Sequence, residues 1–326
     1  MPPLIRTLPD LPLDIVGDVH GELGALEALL AHLEQSGRGE ERHLVFVGDL
    51  VDRGPDSLGV LRLVQELVAA GRASCLIGNH ELNLLLGKSR SGNEWFYGEF
   101  QTMHQSGEVL PQVLANHADR AEVLLFLQRL PLALESPAVR VVHACWHEPA
   151  LAMLREGRMA SMGVVEMFYQ MESVITRQQI AAGEDPSGMA ANLARQNDNP
   201  VTALTSGLER KTAKAFRAGG RMRHVERVPW WESYQGDTPV VFGHFWRSLD
   251  PSRPAVRNGP YLFADHDFHD ALGPKRNAYC VDYSVGYRHI GRAAGTMADR
   301  PTALMALRWP ERELIDDDGN RWPIRH

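Results

Sequence analysis

The chain has 326 residues, of which 44% are hydrophobic and 23% are charged, and its formal net charge is −7. This balance is typical of a globular protein with one large core, and we expect a single domain over 1–326. The acidic surplus argues against a protein that binds DNA through overall positive charge. No apolar run approaches the roughly 20 residues that cross a bilayer, so no membrane partner is expected.

Two features favour a cytoplasmic protein. Near the amino terminus, Arg6, Pro9, Asp10 and Pro12 interrupt the region where a signal peptide would need an unbroken apolar run. The three cysteines are an odd number, and each stands inside an apolar run that is typical of a strand. We therefore expect buried free thiols and no disulfide framework.

The first half of the chain alternates apolar strands with amphipathic helices. A strand at LDIVGDV leads into a helix over 22–37, in which leucines recur at helical spacing. The strand HLVFVGDLV precedes a second helix over 56–71, and a third strand, ASCLIGNHE, follows. This repeat predicts neighbouring strands in one sheet, with helices packed on its face.

The pattern is looser in the second half. SRSGNEWFYGEF is predicted to be a loop, ADRAEVLLFLQRLP a helix and VRVVHACW a buried strand. The segment 147–229 is rich in Met, Ala, Gln and Arg, and we predict a helical insert over the core, within the same domain. Strands resume with TPVVFGHFW, NAYCVDYSV and TALMALRWP.

Polar residues collect where the predicted strands end. Because the carboxyl ends of neighbouring strands lie along one edge of a sheet, these residues converge on one site. Taken singly, each could merely cap a helix, but their joint occurrence favours a functional site. The residues are Asp18, His20, Asp49, Asp52, Arg53, Asn79, His80, His143 and His244.

The composition of this set indicates metal chemistry. Carboxylates, imidazoles and one amide, with no thiolate, fit divalent cations such as Mn, Fe or Zn. We predict two divalent metal ions, with manganese preferred over iron or zinc, and Asp49 as the carboxylate shared between them. The remaining ligands are Asp18 and His20 at the first ion, and Asn79, His143 and His244 at the second.

Three motifs, GDVHG, GDLVDRG and GNHE, followed by His143 and His244, resemble the calcineurin-like metallophosphoesterases. Within that family they resemble the phosphoprotein phosphatase group, which includes bacterial diadenosine tetraphosphatases. The resemblance is clearest over 14–81. It implies a four-layer α/β fold, in which two mixed β-sheets pack face to face and are flanked by helices. It also implies two-metal phosphoester hydrolysis by a metal-bridging hydroxide.

The resemblance assigns three further roles. Arg53 would bind a pair of phosphate oxygens, and His80 would act as general acid on the leaving oxygen. Asp52 would hold the His80 imidazole in orientation. Arg247, in GHFWR, is a candidate second phosphate clamp, with a surface residue as the alternative.

Two segments bear on the substrate without deciding it. Arginines cluster over 217–231 beside Trp230 and Trp231, where they could bind a polyphosphate chain and stack a base, although charged runs are usually solvated faces. VDYSVGY, at 281–287, stands where relatives carry Asp-Thr-Gly, and this departure affects the far end of the cleft.

Three functions therefore remain open, and we expect the first of them in preference to the second. VDRG and GNHE favour a serine/threonine protein phosphatase-like phosphomonoesterase that acts on a phosphoprotein or a small phosphate ester. FGHFW favours the alternative, a dinucleoside polyphosphate hydrolase of the diadenosine tetraphosphate type. A catalytically silent metal-binding module is the third, but a pure binder needs neither a general acid nor a carboxylate to orient it.

Overall fold

The structure, a computed structural model, describes residues 2–37, 39–99, 101–102, 109–156, 161–218, 221–254, 260–295 and 301–326. The strands are β1 (Ile5–Thr7), β2 (Leu13–Val16), β3 (His43–Phe46), β4 (Ala73–Cys75), β5 (Gln101–Thr102), β6 (Val109–Leu110), β7 (Ala133–Glu135), β8 (Arg140–Val142), β9 (Glu209–Ala218), β10 (Arg221–Arg227), β11 (Val240–Phe242), β12 (Ala278–Cys280), β13 (Asp282–Tyr283), β14 (Ala303–Trp309), β15 (Glu313–Asp316) and β16 (Arg321–Pro323). The α-helices are α1 (Leu23–Gly37), α2 (Ser57–Ala69), α3 (Asn79–Leu85), α4 (Glu94–Tyr97), α5 (His117–Leu127), α6 (Glu148–Arg155), α7 (Val164–Ala181), α8 (Met189–Asp198), α9 (Pro200–Ser206) and α10 (Arg288–Ala294). Two 3-10 helices span Trp230–Ser233 and Val285–Tyr287.

Two large mixed sheets form the centre of the fold. A seven-stranded sheet has the order β16-β15-β14-β2-β3-β4, with β13 also paired to β14. Its strands β2, β3 and β4 are parallel and are joined through α1 and α2, as the repeat in the sequence predicts. A five-stranded sheet has the order β1-β7-β8-β11-β12, in which β8, β11 and β12 are parallel.

Alternation along the strands explains how the sheets pack. Ile15 and Val45 of one sheet form a cluster with Val141, Val241 and Tyr279 of the other, so this apolar layer lies between the two sheets. The intervening residues belong to a second cluster that also contains the buried faces of α1 and α2. Because both faces are covered, the central strands are apolar throughout. This arrangement confirms the predicted fold class.

The segment 147–229 differs from the prediction in its second part. It begins with the helices α6 to α9, and AGEDPSG lies between α7 and α8. Beyond them, β9 and β10 form an antiparallel hairpin where a helical insert was expected. Leu151, Met167 and Leu204 of the helices share one apolar cluster with Phe46 of β3, so the helical part packs on the core.

Two further expectations concern burial and membranes. The three cysteines are free and buried, in agreement with the prediction from their apolar surroundings. Within the described ranges, no helix combines the length and the apolar character that a membrane span requires.

Candidate active site

The site lies where strands of both sheets end. The loops after β2, β3 and β4 come from the seven-stranded sheet, and the loops after β8 and β11 come from the five-stranded sheet. Together they bring all nine strand-end residues into one connected cluster of buried or half-buried side chains. Parallel strands thus place residues that are distant in sequence at one edge.

The loop after β3 is fixed by backbone geometry. Gly48 has a φ of +105°, and a Cβ at this position would lie 2.6 Å from the backbone N of Gly78. Only glycine allows this close approach of the β3 and β4 loops. The buried Glu81 carboxylate accepts hydrogen bonds from the backbone N–H groups of Asp49 (2.8 Å) and Leu50 (2.8 Å), and also from those of Val51 and Gly78. Burial raises the pKa of Glu81 to about 7.

Asp49 is the centre of the cluster. One carboxylate oxygen lies 3.4 Å from Nε2 of His143, and the other lies 3.8 Å from Nε2 of His20 and 3.9 Å from Nε2 of His80. Burial opposes ionisation of Asp49, but the imidazoles, His143 foremost, hold its pKa well below the usual range. Asp49 is therefore an anion with histidine nitrogens on both sides.

The histidine tautomers suit metal binding. Nδ1 of His20 lies 3.0 Å from the carbonyl oxygen of Val51, and Nδ1 of His143 lies 2.9 Å from that of Val47. Because a carbonyl oxygen only accepts, each Nδ1 carries a proton, which leaves Nε2 as the nitrogen that can bind a cation when the imidazole is neutral. Burial, and then the charge of nearby arginines, lowers the pKa of both His20 and His244, which keeps these imidazoles neutral.

Two groups of ligand atoms share Asp49. His20, Asp49 and His80 form one group, and Asp49, His143 and His244 form the other, with the atoms of each group within 4.8 Å of one another. Nε2 of His244 is buried and has no hydrogen-bond partner among the described residues. A buried lone pair without a partner costs free energy, so this donor set fits a pair of divalent cations.

The remaining predicted ligands lie beside these groups. Oδ2 of Asp18 is 4.0 Å from Nε2 of His20, and both Asp18 oxygens accept from the backbone N–H of His244 at 3.2 Å. Oδ1 of Asn79 lies 3.3 Å from Nε2 of His143. Burial, and then the charge of Asp282, raises the pKa of Asp18 well above its usual range.

The predicted acid is held by a carboxylate. Nδ1 of His80 lies 2.6 Å from Oδ2 of Asp52, and Oδ1 of Asp52 accepts from the indole N–H of Trp95 at 2.8 Å. Trp95 belongs to SRSGNEWFYGEF, which was predicted to be a loop and could have lined the cleft. The side chain of Trp95 is instead completely buried. Asp52 is therefore fixed from two sides, and it fixes the imidazole of His80 in turn.

Arg53 forks between two histidines. Its guanidinium donates to Nε2 of His20 at 2.7 Å and to Nε2 of His80 at 3.1 Å, and it stacks over the half-buried ring of Trp246 at 4.7 Å. The lone pair on Nε2 of His20 can therefore accept a hydrogen bond from Arg53 or bind a cation. A Cβ at Gly286 would lie 2.8 Å from this guanidinium and 2.4 Å from the His20 ring, so the chain passes close above Arg53.

The structure adds two residues that the sequence did not single out for the site. Asp282 is buried, one of its carboxylate oxygens has no partner among the described residues, and burial raises its pKa to about 6. It stands in VDYSVGY, directly at the start of β13. Arg227 was included only as part of the arginine cluster; its exposed side chain donates to the carbonyl oxygen of His244 at 3.2 Å.

Arg247 does not support the expectation of a second phosphate clamp. It is 1% exposed, and Nη2 donates to the carbonyl oxygens of Asp267, at 2.5 Å, and Asp270, at 2.9 Å. Its guanidinium also faces the rings of Phe263 and Tyr283 at 5.5 and 5.9 Å. These contacts direct Nη2 to the 263–270 loop, while Nε has no hydrogen-bond partner among the described residues, so the role of Arg247 stays a prediction.

The tryptophans of 217–231 do not form a base-stacking surface. Trp230 is 5% exposed, and its indole N–H donates to the carbonyl oxygen of Ala144. Trp231 is fully buried and is stacked between Phe242 and Phe263. In the same stretch, the side chains of Arg217 and Arg221 lie outside the described part of the chain.

A shared carboxylate between two histidine groups, with arginines and a held imidazole beside it, defines a metal-dependent phosphoester hydrolase. The sequence profile of the calcineurin-like phosphoesterases matches residues 11–167. The chain is 33% identical to a symmetrical bis(5'-nucleosyl)-tetraphosphatase of Shewanella sp. strain MR-7, over 75% of this chain and 89% of that protein. It is 31% identical to a protein of the same name from Janthinobacterium sp. strain Marseille, over 72% and 82% of the two chains.

The chain therefore belongs to the calcineurin-like phosphoesterases. Among solved structures, one provisionally described as a diadenosine tetraphosphatase is 22% identical, with a TM-score of 0.47 and coverage of 96% of this chain and 97% of that one.

Proposed function

We propose that this protein hydrolyses dinucleoside polyphosphates of the diadenosine tetraphosphate type. The observation that carries the proposal is that both reported relatives, each aligned over more than 70% of this chain, are named symmetrical bis(5'-nucleosyl)-tetraphosphatases. The geometry supports it, because each ligand group has its own guanidinium: Arg53 lies beside His20 and His80, and Arg227 lies beside His244. Several separated cations suit a chain of phosphates.

We propose that two divalent cations, manganese in preference to iron or zinc, bind the donor atoms described above. When bound, they supply a nucleophile at neutral pH and positive charge for the phosphoryl oxygens. The residues that would hold them are Asp18, His20 and Asp49 in one site, and Asp49, Asn79, His143 and His244 in the other.

The residues of the chain itself account for orientation and proton transfer. Arg53 would hold a phosphate oxygen pair with its planar fork, and its stacking on Trp246 limits the rotation of that fork. His80 is held through Nδ1 by Asp52. Once Arg53 turns from Nε2 of His80 to the phosphate and Nε2 takes up a proton, His80 would deliver that proton to the leaving oxygen. The leaving oxygen belongs to a nucleotide phosphate.

We also propose that the helices α6 to α9 and the β9–β10 hairpin belong to one domain with the sheets. Leu151, Met167 and Leu204 share a cluster with Phe46, and the backbone N–H of Ala144 donates to the carbonyl oxygen of Leu204. The insert is thus in a position to shape the substrate cleft beside β8 and β11.

The test compares two substrates with the manganese-loaded protein. Diadenosine tetraphosphate and a phosphoserine peptide are supplied separately, with the Asp49→Asn protein as blank, and products are separated by ion-exchange chromatography. We expect two ADP from the dinucleotide, since symmetrical cleavage divides four phosphates equally; ATP with AMP would indicate asymmetrical cleavage.

Phosphate release from the peptide together with an intact dinucleotide would overturn the proposal in favour of a phosphomonoesterase. Absence of turnover on both substrates would instead favour the silent metal-binding module.

A further inference from the structure

The β9–β10 hairpin carries a local excess of positive charge on an acidic protein. Described side chains of Arg210, Lys211, Lys214 and Arg223 are exposed along it, while the whole chain has a net charge of −7. The hairpin also carries Arg227, whose guanidinium reaches the carbonyl oxygen of His244. A charged surface that is continuous with a catalytic site raises the local concentration of an oppositely charged substrate.

The register of the hairpin sorts its charges onto two faces. Arg227 lies opposite Glu209, and Val225 lies opposite Lys211. Residues that lie opposite each other in an antiparallel pair project from the same face, as do alternate residues along one strand. Lys211 therefore projects from the same face as Arg227.

The opposite face is identified by an ion pair. Glu226 lies opposite Arg210, and Nε of Arg210 donates to Oε1 of Glu226 at 2.8 Å. Since Glu226 immediately precedes Arg227, this pair projects away from the face that carries Arg227. The pairing register shifts between Arg223 and Val225, so alternation along β10 does not assign Arg223 to either face.

The cations of the Arg227 face are spaced as a row. Lys211 is the diagonal neighbour of Arg227, which puts the two residues roughly 7–8 Å apart. Within the described ranges, Lys211 forms no ion pair, in contrast to Arg210. We call Lys211 and Arg227 the cationic row.

We infer that the cationic row is a binding site for the phosphate chain of the substrate. Arg227 would hold a phosphate near His244, and Lys211 would hold a phosphate farther from the metal ligands. The inference rests on the proposed function. It implies that residues outside the family motifs select substrates by the length of their phosphate chain. A substrate with a single phosphate would reach Arg227 and leave Lys211 without a partner.

The experiment compares Lys211→Ala with Arg210→Ala. Both substitutions remove one exposed cation from the same strand, but only the first removes a member of the cationic row. The probes are inorganic tripolyphosphate and orthophosphate, each measured as an inhibitor of p-nitrophenyl phosphate hydrolysis at constant free manganese. The KM for diadenosine tetraphosphate is measured in parallel.

We expect Lys211→Ala to raise the inhibition constant of tripolyphosphate and the KM for the dinucleotide by about 3- to 10-fold, because an exposed charge contributes up to ~1 kcal/mol. The orthophosphate constant, and kcat and KM for p-nitrophenyl phosphate, should stay within about twofold, the margin expected for a surface substitution. Arg210→Ala should change none of these values. Added salt should weaken tripolyphosphate binding more steeply in the wild type than in Lys211→Ala.

The outcomes separate this inference from the proposed function. If the dinucleotide is hydrolysed but the inhibition constant of tripolyphosphate is equal in the two variants, only the binding role of the cationic row would be overturned. An intact dinucleotide, with a tripolyphosphate constant that depends on Lys211, would overturn the proposed function and keep the row. If only the KM for an acidic phosphopeptide depended on Lys211, the row would instead bind protein substrates and the inference would be wrong.

Discussion

The two sheets contribute to the site in different ways. Residues after β2, β3 and β4 of the seven-stranded sheet are joined to one another by backbone hydrogen bonds, including those from the N–H groups of Val19 and His20 to the carbonyl oxygen of Asp49. Glu81 adds four hydrogen bonds from backbone N–H groups. This half of the site is rigid before any ligand binds.

The half that involves the five-stranded sheet leaves polar atoms free. Nε2 of His244, after β11, has no partner among the described residues. Facing it from β13 of the seven-stranded sheet, Asp282 likewise has a carboxylate oxygen without a partner among the described residues. Arg227 remains exposed beside them. The half that involves the seven-stranded sheet therefore aligns the proton-transfer groups. In the other half, the polar atoms find their partners only when the cation and the substrate bind.

The largest effect is expected where the two halves meet, at Asp49. Asp49→Asn should lower metal affinity by more than about 100-fold, the upper range for losing even an outer-shell partner of a metal ligand. Elemental analysis after gel filtration measures the bound metal. Asp52→Asn, in the same loop, should keep its metal while it loses turnover. If Asp49→Asn retained the full metal content, Asp49 would not be the shared ligand.

A somewhat smaller effect is expected at His80, on the rigid half. His80→Ala should lower kcat by about 10²–10⁴-fold for a poor leaving group, the usual contribution of a general acid. For p-nitrophenyl phosphate, whose leaving group needs little protonation, the loss should be much smaller. The metal content decides the role, because Nε2 of His80 lies 3.9 Å from Asp49. Loss of one ion from this variant would make His80 a ligand.

Trp95 tests how far the rigidity of that half extends. Trp95→Phe removes the hydrogen bond to Asp52, and a bond to a charged group contributes about 1.5–3 kcal/mol, so kcat should fall by roughly 10-fold or more. Bound metal and KM should stay unchanged. Trp231→Phe is the matched control, because the Trp231 indole N–H is buried without a partner among the described residues. An equal loss of kcat in both variants would reduce Trp95 to a packing role.

The smallest effect concerns His289, in helix α10 between β13 and β14. Burial, and then the charge of Arg53, lowers its pKa to about 4, below the value of about 6.5 in an unfolded chain. The unfolded state therefore binds the proton first, and stability present above pH 6.5 is lost as the pH falls towards 4. Urea unfolding at pH 7 and pH 5 should show a shallower loss for His289→Gln.

The exposed His117→Gln should keep the wild-type pH dependence of stability. If the stability of His289→Gln fell between pH 7 and pH 5 as steeply as that of the wild type, the result would contradict the prediction.

Local sequence signals predicted one half of the site better than the other. Asp18, His20 and Asp49 follow short apolar strands directly and stand beside glycines, so each position could be identified within a few residues. Asp282 also follows a strand, but the next strand begins at once and no turn signal sets it apart. Its proximity to Asp18 depends on how the chain crosses between sheets.

The two arginine assignments show the same limit. Arg247 follows His244 by three residues, yet its side chain turns to the 263–270 loop. Arg227 is 17 residues before His244 and reaches it because the hairpin folds back. Helix-forming Ala, Lys and Arg concealed that hairpin, although Gly219 and Gly220 stand between its strands and are a hairpin signal. Side-chain direction follows from tertiary packing, which local spacing does not encode.

Backbone conformation at the site has a consequence for thermal adaptation. Of the eight non-glycine residues with positive φ in the described chain, five are His20, Asp49, Asp52, Arg53 and His244. A left-handed conformation costs roughly 1–2 kcal/mol for such residues, so glycine at these positions would relieve strain while abolishing the chemistry. Selection for heat resistance alone would therefore favour glycine at these catalytic positions, where it would abolish activity. A thermostable homologue must gain its additional stability at other positions.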